Sequence, residues 1–328
     1  MRGWTRLCAC LLVLAACGRS DTGEDKKAPS FRVALLLTGP VSDDGWNASA
    51  HEGLEAIRYQ MGAEISYVES LEKSQFEENF RQYASQGYDL IFGHGYEFGD
   101  AAMRVAEAFP KTRFVVVAGN KLAPNVASVQ FQLEQATYEL GVLAGMMSRS
   151  GVVGLVGGEE IPSLQPGFIA FENGARSVRP DVKAITKYVG NWSDVTLAKE
   201  HATALMAEGA DFIFQNADKA GLGVFQAVEE RPETYAFGSN KDQNHLAPDV
   251  ILASAVIDVP KALLDIARSV QNGTFEGNVR GLGIREGIVA VKYNERLVSR
   301  VALETRKKLM EVEQGIRQGE IDVLKTGS

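Results

Sequence analysis

The sequence predicts an α/β protein of two doubly wound lobes with parallel sheets, joined by a multi-crossover hinge. From residue 31 onwards, short apolar runs alternate with amphipathic stretches, which is typical of parallel sheets covered by helices on both faces. The alternation restarts after residues 148–151, and two windings fit ordinary domain sizes better than one sheet of about ten strands. The last strands and the last helix have no neighbours of their own, so we expect them to return to the first lobe.

Each predicted strand is a short apolar run, and each predicted helix carries apolar residues along one face. Along 47–61, for example, Ala50, Leu54, Ile57 and Met61 recur at helical spacing. In the first winding the predicted strands are 31–38, 64–69, 88–92, 113–117 and 126–131, and the predicted helices are 47–61, 76–86, 98–109 and 134–149.

The second winding repeats this pattern and is followed by a short tail. Its predicted strands are 152–156, 183–189, 211–214, 234–237 and 250–254, and its predicted helices are 164–178, 194–208, 220–231 and 259–272. The tail adds short strands near 279–282 and 288–293 and a helix from 296 to about 316. We therefore assign 31–148 plus about 283–328 to an N-terminal lobe and 149–282 to a C-terminal lobe.

The first sixteen residues have the pattern of an export signal peptide. Arg2 and Arg6 precede an apolar stretch, 7–16, that is too short to span a bilayer as a helix. The letters LAAC at its end resemble the lipobox of bacterial lipoproteins, so we expect cleavage before Cys17 and lipidation of that cysteine, which anchors the chain stably to a membrane. The alternative is an ordinary signal peptide with a chance cysteine.

Composition excludes several classes of protein. Two of the three cysteines, Cys8 and Cys10, leave with the signal peptide, so neither a disulfide nor a thiolate metal site is expected. Loss of Arg2 and Arg6 lowers the formal net charge from −8 to −10, which argues against nucleic acid as a partner. Polar residues then run from Cys17 to residue 30, and this segment is typical of a flexible tether.

Two aromatic side chains occupy loops at the carboxyl ends of predicted strands. The chain contains three tryptophans; Trp4 leaves with the signal peptide, and Trp46 and Trp192 follow strands of the first and second winding. Ligands of open α/β sheets bind beyond the carboxyl ends of the strands. The pair therefore predicts two platforms for a flat ligand between the lobes. The alternative is that each indole packs beneath its own loop.

Polar side chains follow the same strand ends. Asparagine, aspartate and tyrosine can read the donor and acceptor edge of a heterocycle, although such residues also form ordinary turns and helix caps. Asn47 and Asp194 are each also able to cap the helix that follows. The candidate ligand-binding set is Trp46, Asn47, Tyr96, Asn120, Trp192, Asp194, Asp218 and Asn240.

Motifs of the common enzyme classes are missing from the sequence. It has no HExxH, no GxSxG and no GxxxxGK[ST] motif, and its four histidines (His51, His94, His201 and His245) lack metal-ligand spacing. No nucleophile with a base and no pair of carboxylates can be argued from spacing alone. We therefore predict a small-molecule binder that is not an enzyme and that needs no cofactor and no metal.

Six segments together resemble the basic membrane protein family of ABC transporter lipoproteins. They are 44–47 (DGWN), 93–99, 140–145 (LGVLAG), 154–158 (GLVGG), 191–194 (NWSD) and 238–243 (GSNKDQ). The resemblance covers roughly 32–294. It implies a type I periplasmic-binding-protein fold and a purine nucleoside, or a related flat heterocycle, as the ligand.

The chain departs from the family's nucleoside-binding pattern at four positions. Ala118 and Asn240 stand where the family commonly has aspartate, Ile257 stands where it has lysine, and Trp46 replaces the usual phenylalanine. Because the missing charged groups are those expected to serve a ribose and the base edge, the departures favour a free purine base such as adenine. Asn47, Asn120, Asp218 and Asn240 then remain as candidates to read its edge.

The resemblance also implies a place of action and a partner. We expect a monomer in the cell envelope, held on a membrane by its lipid and facing the periplasm or the exterior. It captures a ligand between its two lobes, of which 149–282 is the C-terminal ligand-binding lobe, and delivers the ligand to an ABC permease. Alternatives are a purine nucleoside or riboflavin binder, a sugar binder, a nucleoside hydrolase, or a co-receptor lipoprotein that senses its ligand.

Overall fold

The computed structural model describes Met1 and residues 31–43 and 45–325. The predicted signal peptide, the lipidation site at Cys17 and the tether lie outside this part of the chain, as does Asp44. In the part that is described, no helix has the length and apolar character needed to cross a membrane.

Apolar runs form the strands, as the sequence predicts. The described strands are β1 (Arg32–Leu37), β2 (Glu64–Val68), β3 (Leu90–His94), β4 (Arg113–Val117), β5 (Val126–Phe131), β6 (Val152–Gly157), β7 (Lys183–Tyr188), β8 (Phe212–Asn216), β9 (Tyr235–Asn240), β10 (Ile251–Ile257), β11 (Val279–Leu282) and β12 (Val289–Tyr293). Central strands are buried along their length because helices cover both faces of a parallel sheet; every residue of β3 is buried.

The amphipathic stretches form the helices that cover these strands. The α-helices of the described chain are α1 (Trp46–Met61), α2 (Phe76–Ser85), α3 (Gly99–Ala106), α4 (Leu133–Met147), α5 (Gln165–Val178), α6 (Val195–Ala207), α7 (Leu222–Glu229), α8 (Val259–Gln271) and α9 (Leu303–Gln318). The last helix begins later than predicted, because residues 298–300 form a separate 3₁₀ turn.

Two sheets divide the described strands equally. The first has the order β11-β5-β4-β3-β1-β2 and is parallel throughout. The second has the order β12-β10-β9-β8-β6-β7 and is parallel except where β12 runs antiparallel to β10. The predicted fold class, two doubly wound α/β lobes, is confirmed.

The chain passes between the lobes at three places. It leaves the first sheet after β5, where α4 packs on α5; it returns after β10, where α8 packs on α1; and it leaves again after β11 to enter β12. The three passages are bonded together: Gln132 N donates to the Leu282 carbonyl at 2.9 Å, and Asp258 N donates to the Ile288 carbonyl at 2.7 Å. They form the hinge between the lobes.

Assignment of 283–328 to the first lobe is wrong, because β12 joins the second sheet and α9 packs on α4. The chain reverses within a short turn, where Ile288 N donates to the Gly283 carbonyl at 3.1 Å and Gly287 adopts φ +66°. That turn lets β12 run antiparallel beside β10. Helices α4 and α8 have likewise exchanged lobes relative to the predicted boundaries.

Glycines allow α4 and α5 to touch backbone to backbone. A Cβ built at Gly141 would lie 2.0 Å from the Phe171 carbonyl oxygen, and one built at Gly174 would lie 2.0 Å from the Tyr138 carbonyl oxygen. Any larger side chain at either position would separate the helices. The glycines of the LGVLAG segment therefore serve helix packing in the second lobe.

Candidate functional site

Asp43 organises the loop that leads from β1 into α1. Its Oδ1 accepts hydrogen bonds from Gly45 N (3.0 Å) and Ala48 N (2.9 Å), and its Oδ2 accepts from Asn47 N (2.8 Å). These amides would otherwise lack partners at a helix start. The sequence predicted Asn47 as the cap; Asp43 has that role, because the helix already begins at Trp46.

The side chain of Asn47 is buried and bonded within the same loop. Its Nδ2 donates to Asp43 Oδ2 at 2.7 Å, and its Oδ1 accepts from Gly39 N at 3.4 Å. A Cβ at Gly39 would lie 2.5 Å from Asn47 Nδ2, so only glycine allows this approach. Asn47 thus holds the loop in shape.

Trp46 is the first residue of α1 and is partly buried. Its indole stacks on the ring of His94, with centroids 4.0 Å apart and planes at 24°, and meets Phe131 edge-on at 6.1 Å. The Nε2 atom of His94 lies 3.0 Å from the Trp46 carbonyl oxygen. Complete burial lowers the pKa of His94 to about 3, so its imidazole is neutral at physiological pH.

Asp218 reaches this helix start from the second lobe. It follows β8 in a 3₁₀ turn, with a left-handed φ of +48°. Burial and the nearby charge of Asp43 raise the pKa of Asp218 to about 7, against the opposing effect of hydrogen bonds from the Trp46 amide and the Asn240 side chain. Its Oδ1 would lie 3.3 Å from a Cβ at Gly45. The lobes therefore meet at Trp46 and Asp218.

Asn240 ends β9 beside Asp218 and is also left-handed, at φ +65°. Its Nδ2 donates to Asn216 Oδ1 at 3.2 Å, and its side chain lowers the pKa of Asp218, against the effect of burial. Left-handed backbone is unfavourable for residues other than glycine and concentrates at functional sites. Two such residues, Asp218 and Asn240, stand side by side at adjacent strand ends.

Trp192 lies at the carboxyl end of β7 in the second lobe. Its ring covers Gly158, where an added Cβ would lie 2.2 Å from the indole Cε3. Its carbonyl accepts a hydrogen bond from Ala220 N at 3.0 Å. Because Ala220 and Asp218 belong to one turn, Trp46 and Trp192 both contact that turn.

The remaining predicted residues lie further out. Asp194 is exposed and caps α6 by accepting from Leu197 N at 3.0 Å, as its alternative role predicted. Tyr96 is 48% exposed, and Asn120 is exposed beyond β4. None of these three residues bonds the Trp46–Asp218 cluster among the contacts described.

Charged residues outside the predicted ligand-binding set also face each other across the lobes. Lys241 Nζ in the second lobe lies 3.0 Å from Glu52 Oε1 on α1. Burial, and then the charge of Glu159 after β6, raise the pKa of Glu97 after β3. Glu52 occupies an ordinary polar position of an amphipathic helix, so no sequence signal pairs it with Lys241.

Two parallel-sheet lobes, three crossings and polar groups converging between the lobes define the class of two-lobed solute-binding proteins. The chain belongs to the Bmp family, described as ABC transporter substrate-binding protein PnrA-like, whose model matches residues 31–326. The resemblance noted in the sequence is confirmed.

Individual relatives agree with this assignment. The chain is 30% identical over 296 residues to the ABC transporter nucleoside-binding protein BmpA of Lactococcus lactis, covering 82% of this chain and 84% of that protein. It is 28% identical over 295 residues to a purine-binding protein of Brucella abortus, covering 89% and 82%. The crystal structure of a solute-binding protein from Aeropyrum pernix has the same fold, with a TM-score of 0.81, 22% identity and coverage of 89% and 92%.

The protein is therefore an ABC transporter substrate-binding protein and not an enzyme. Proteins of this class bind a small-molecule ligand and a permease. Membership of an extracytoplasmic family fits a membrane-associated protein that faces outwards.

Proposed function

We propose that this protein captures a purine base, or a related flat heterocycle, between its lobes and delivers it to an ABC importer. The observation that carries the proposal is the position of Trp46: its indole is fixed at the start of α1, at the point where Asp218 of the other lobe arrives. Stacking of a nucleobase on an aromatic ring contributes about 1–3 kcal/mol.

In this proposal Trp46 and Trp192 are the two platforms, and polar groups between them read the edge of the ring. Asp218 and Asn240 are the central readers, and Tyr96 and Asn120 close the outer rim. A carboxyl group with a pKa of about 7 can present either a donor or an acceptor to a ring nitrogen. Asn47 and Asp194 act indirectly: the side chain of Asn47 holds the Trp46 loop, and that of Asp194 caps the helix that follows the Trp192 loop.

Preference for a free base over a nucleoside follows from the same site. Ile257 stands where the family has a lysine and is buried, so it offers no charged or polar group to a ribose. Ala118 offers none either. The relatives named for purine and for nucleoside binding are compatible with both ligand classes, so the distinction depends on these residues.

Isothermal titration of the full chain in detergent against adenine, hypoxanthine, guanosine and riboflavin tests the ligand class. We expect heat with at least one free purine and a weaker response with guanosine. Trp46→Ala should weaken binding roughly five- to 150-fold, because it removes one stacking platform. The matched control is Tyr59→Ala, which removes an aromatic ring that is 76% exposed on the same helix. No heat with any of the four compounds would refute the proposal.

We further propose that the protein is a monomer anchored through lipid on Cys17. The support for the anchor is the LAAC segment after an apolar stretch. Cells fed a radiolabelled fatty acid should label the wild-type chain and should not label a Cys17→Ser variant. Equal labelling of both chains would contradict the anchor.

A further inference from the structure

His94 occupies a closely packed position at the end of β3. It lies between Gly93 and Gly95, and its side chain is fully buried. A Cβ at Gly93 would lie 2.7 Å from the Phe98 Cβ, which shows how tightly this strand end is enclosed. The imidazole therefore has little freedom to move.

Only one of the two nitrogen atoms of this imidazole has a hydrogen-bond partner within the described residues. Nε2 is 3.0 Å from the carbonyl oxygen of Trp46, so in the neutral ring Nε2 carries the proton and donates it to that carbonyl. Nδ1 is then an acceptor, and within the described residues it is buried without a hydrogen-bond partner. A buried acceptor without a partner destabilises a fold.

A phenylalanine ring in this position would stack on the indole equally well and would leave no acceptor unpaired. Among the residues that the structure describes, the imidazole adds one hydrogen bond, the one to the Trp46 carbonyl. The carbonyl itself can accept a bond within α1. Compared with a phenylalanine, the imidazole therefore adds one hydrogen bond to Trp46 and leaves one buried acceptor without a partner, so its contribution lies in where it holds Trp46.

We infer that His94 is a positioning residue, which fixes the backbone and the indole of Trp46 for the ligand. This inference rests on the proposed function. His94 holds the carbonyl of Trp46 from the first lobe, while Asp218 of the second lobe lies against Gly45, the residue before Trp46, with its Oδ1 3.3 Å from the position of an added Cβ. With one indole face on the imidazole, Trp46 is ordered before the ligand arrives, and binding does not have to immobilise it.

Two variants separate the two contacts. His94→Phe keeps a ring beneath the indole and removes the donor, whereas His94→Gln keeps a donor and removes the ring. His201 offers a matched control, because its Nε2 lies 3.1 Å from the Tyr188 carbonyl oxygen, on a helix of the second lobe. His201→Phe removes the same type of bond without touching Trp46.

The measurements are adenine affinity, thermal unfolding midpoint and tryptophan fluorescence of the full chain. In a Trp4→Phe, Trp192→Phe background Trp46 is the remaining tryptophan. For His94→Phe we expect an unchanged or higher midpoint together with adenine binding about three- to tenfold weaker. Iodide should also quench Trp46 more readily than in the parent chain. His94→Gln should also weaken adenine binding and make Trp46 easier to quench. His201→Phe should leave adenine affinity and quenching unchanged.

An unchanged or higher midpoint combined with a fall in affinity is the result that a purely structural histidine would not give. The inference is overturned if His94→Phe binds adenine with parental affinity and shows parental quenching. If the parent chain binds no purine, the proposed function fails, but iodide quenching of Trp46 still tests whether His94 positions it.

Discussion

The two tryptophan loops occupy equivalent strand ends, yet the molecule fixes them differently. Trp46 is held by groups from both lobes: His94 and Asp43 belong to its own lobe, and Asp218 belongs to the other. Trp192 is held by contacts within the second lobe, chiefly by the glycine beneath its ring. One platform thus depends on how the lobes meet, while the other is part of a preformed surface.

The largest difference between the Trp46 and Trp192 loops should appear when a glycine beside each loop is replaced by alanine. Gly158→Ala places a Cβ 2.2 Å from the Trp192 ring, so the indole must move; we expect a loss of about 1–3 kcal/mol in unfolding free energy and clearly weaker ligand binding. Gly45→Ala meets Asp218 Oδ1 only at 3.3 Å and should change both quantities far less. Urea unfolding and titration calorimetry measure them. Equal losses in the two variants would show that the loops do not differ.

Two carboxyl groups, Asp218 in the cleft and Glu139 in the interior of the second lobe, provide a second comparison through the pH dependence of stability and binding. Asp218 and Glu139 both have pKa values raised to about 7, mainly by burial, although a hydrogen bond from Tyr293 favours the ionised form of Glu139. Between about pH 4.5 and pH 7 each group stays protonated in the folded chain and ionises in the unfolded chain. Each should therefore lower the unfolding free energy as pH rises, by roughly 1.4 kcal/mol per pH unit.

Asp218→Asn and Glu139→Gln should each flatten this pH dependence, because neither amide ionises. The first variant should also change the pH dependence of adenine affinity, whereas the second should leave it as in the parent, since Glu139 is in the interior. Urea unfolding and calorimetry from pH 5 to pH 8 check both. If Glu139→Gln altered the affinity profile as much as Asp218→Asn, the proposed contact of Asp218 with the ligand would lose its support.

The smallest effect should come from the ion pair between Lys241 and Glu52, which joins the lobes near Trp46. Its partners are partly exposed, so a double-mutant cycle with Lys241→Met and Glu52→Gln should give a coupling of only about 0.2–1 kcal/mol. Because the pair forms across the cleft, its loss should speed ligand dissociation, measured by stopped-flow fluorescence. The pair of Lys199 and Glu230 lies within the second lobe and is the control. An unchanged dissociation rate would exclude a contribution to closure.

The sequence predicted the fold class because burial on both faces of a parallel sheet leaves a visible pattern of apolar runs. It did not predict where the chain changes lobes. Gln132, Asp258 and Gly283 have the composition of ordinary connections, and only the pairing of β12 with β10 reveals that the tail is divided between the sheets. The direction of a short edge strand depends on the space left by its neighbours, which local composition does not encode.

The sequence could predict those residues of the candidate site that lie at the carboxyl ends of strands. Trp46, Asp218 and Asn240 lie at such ends, and the structure brings these three together. His94 and Asp43 were not singled out, because the role of each depends on a contact with the start of α1. In the sequence His94 is a histidine without metal spacing, and Asp43 is one polar residue of a loop.

The three passages between the lobes limit how this protein can move. Sliding one lobe along the other would break the hydrogen bonds between Gln132 and Leu282 and between Asp258 and Ile288. A rotation spread over the three passages needs only small torsional changes in each passage. The lobes should therefore open and close by a hinge rotation about a single axis. A permease that contacts both lobes can then distinguish the filled from the empty cleft by one quantity, the angle between the lobes.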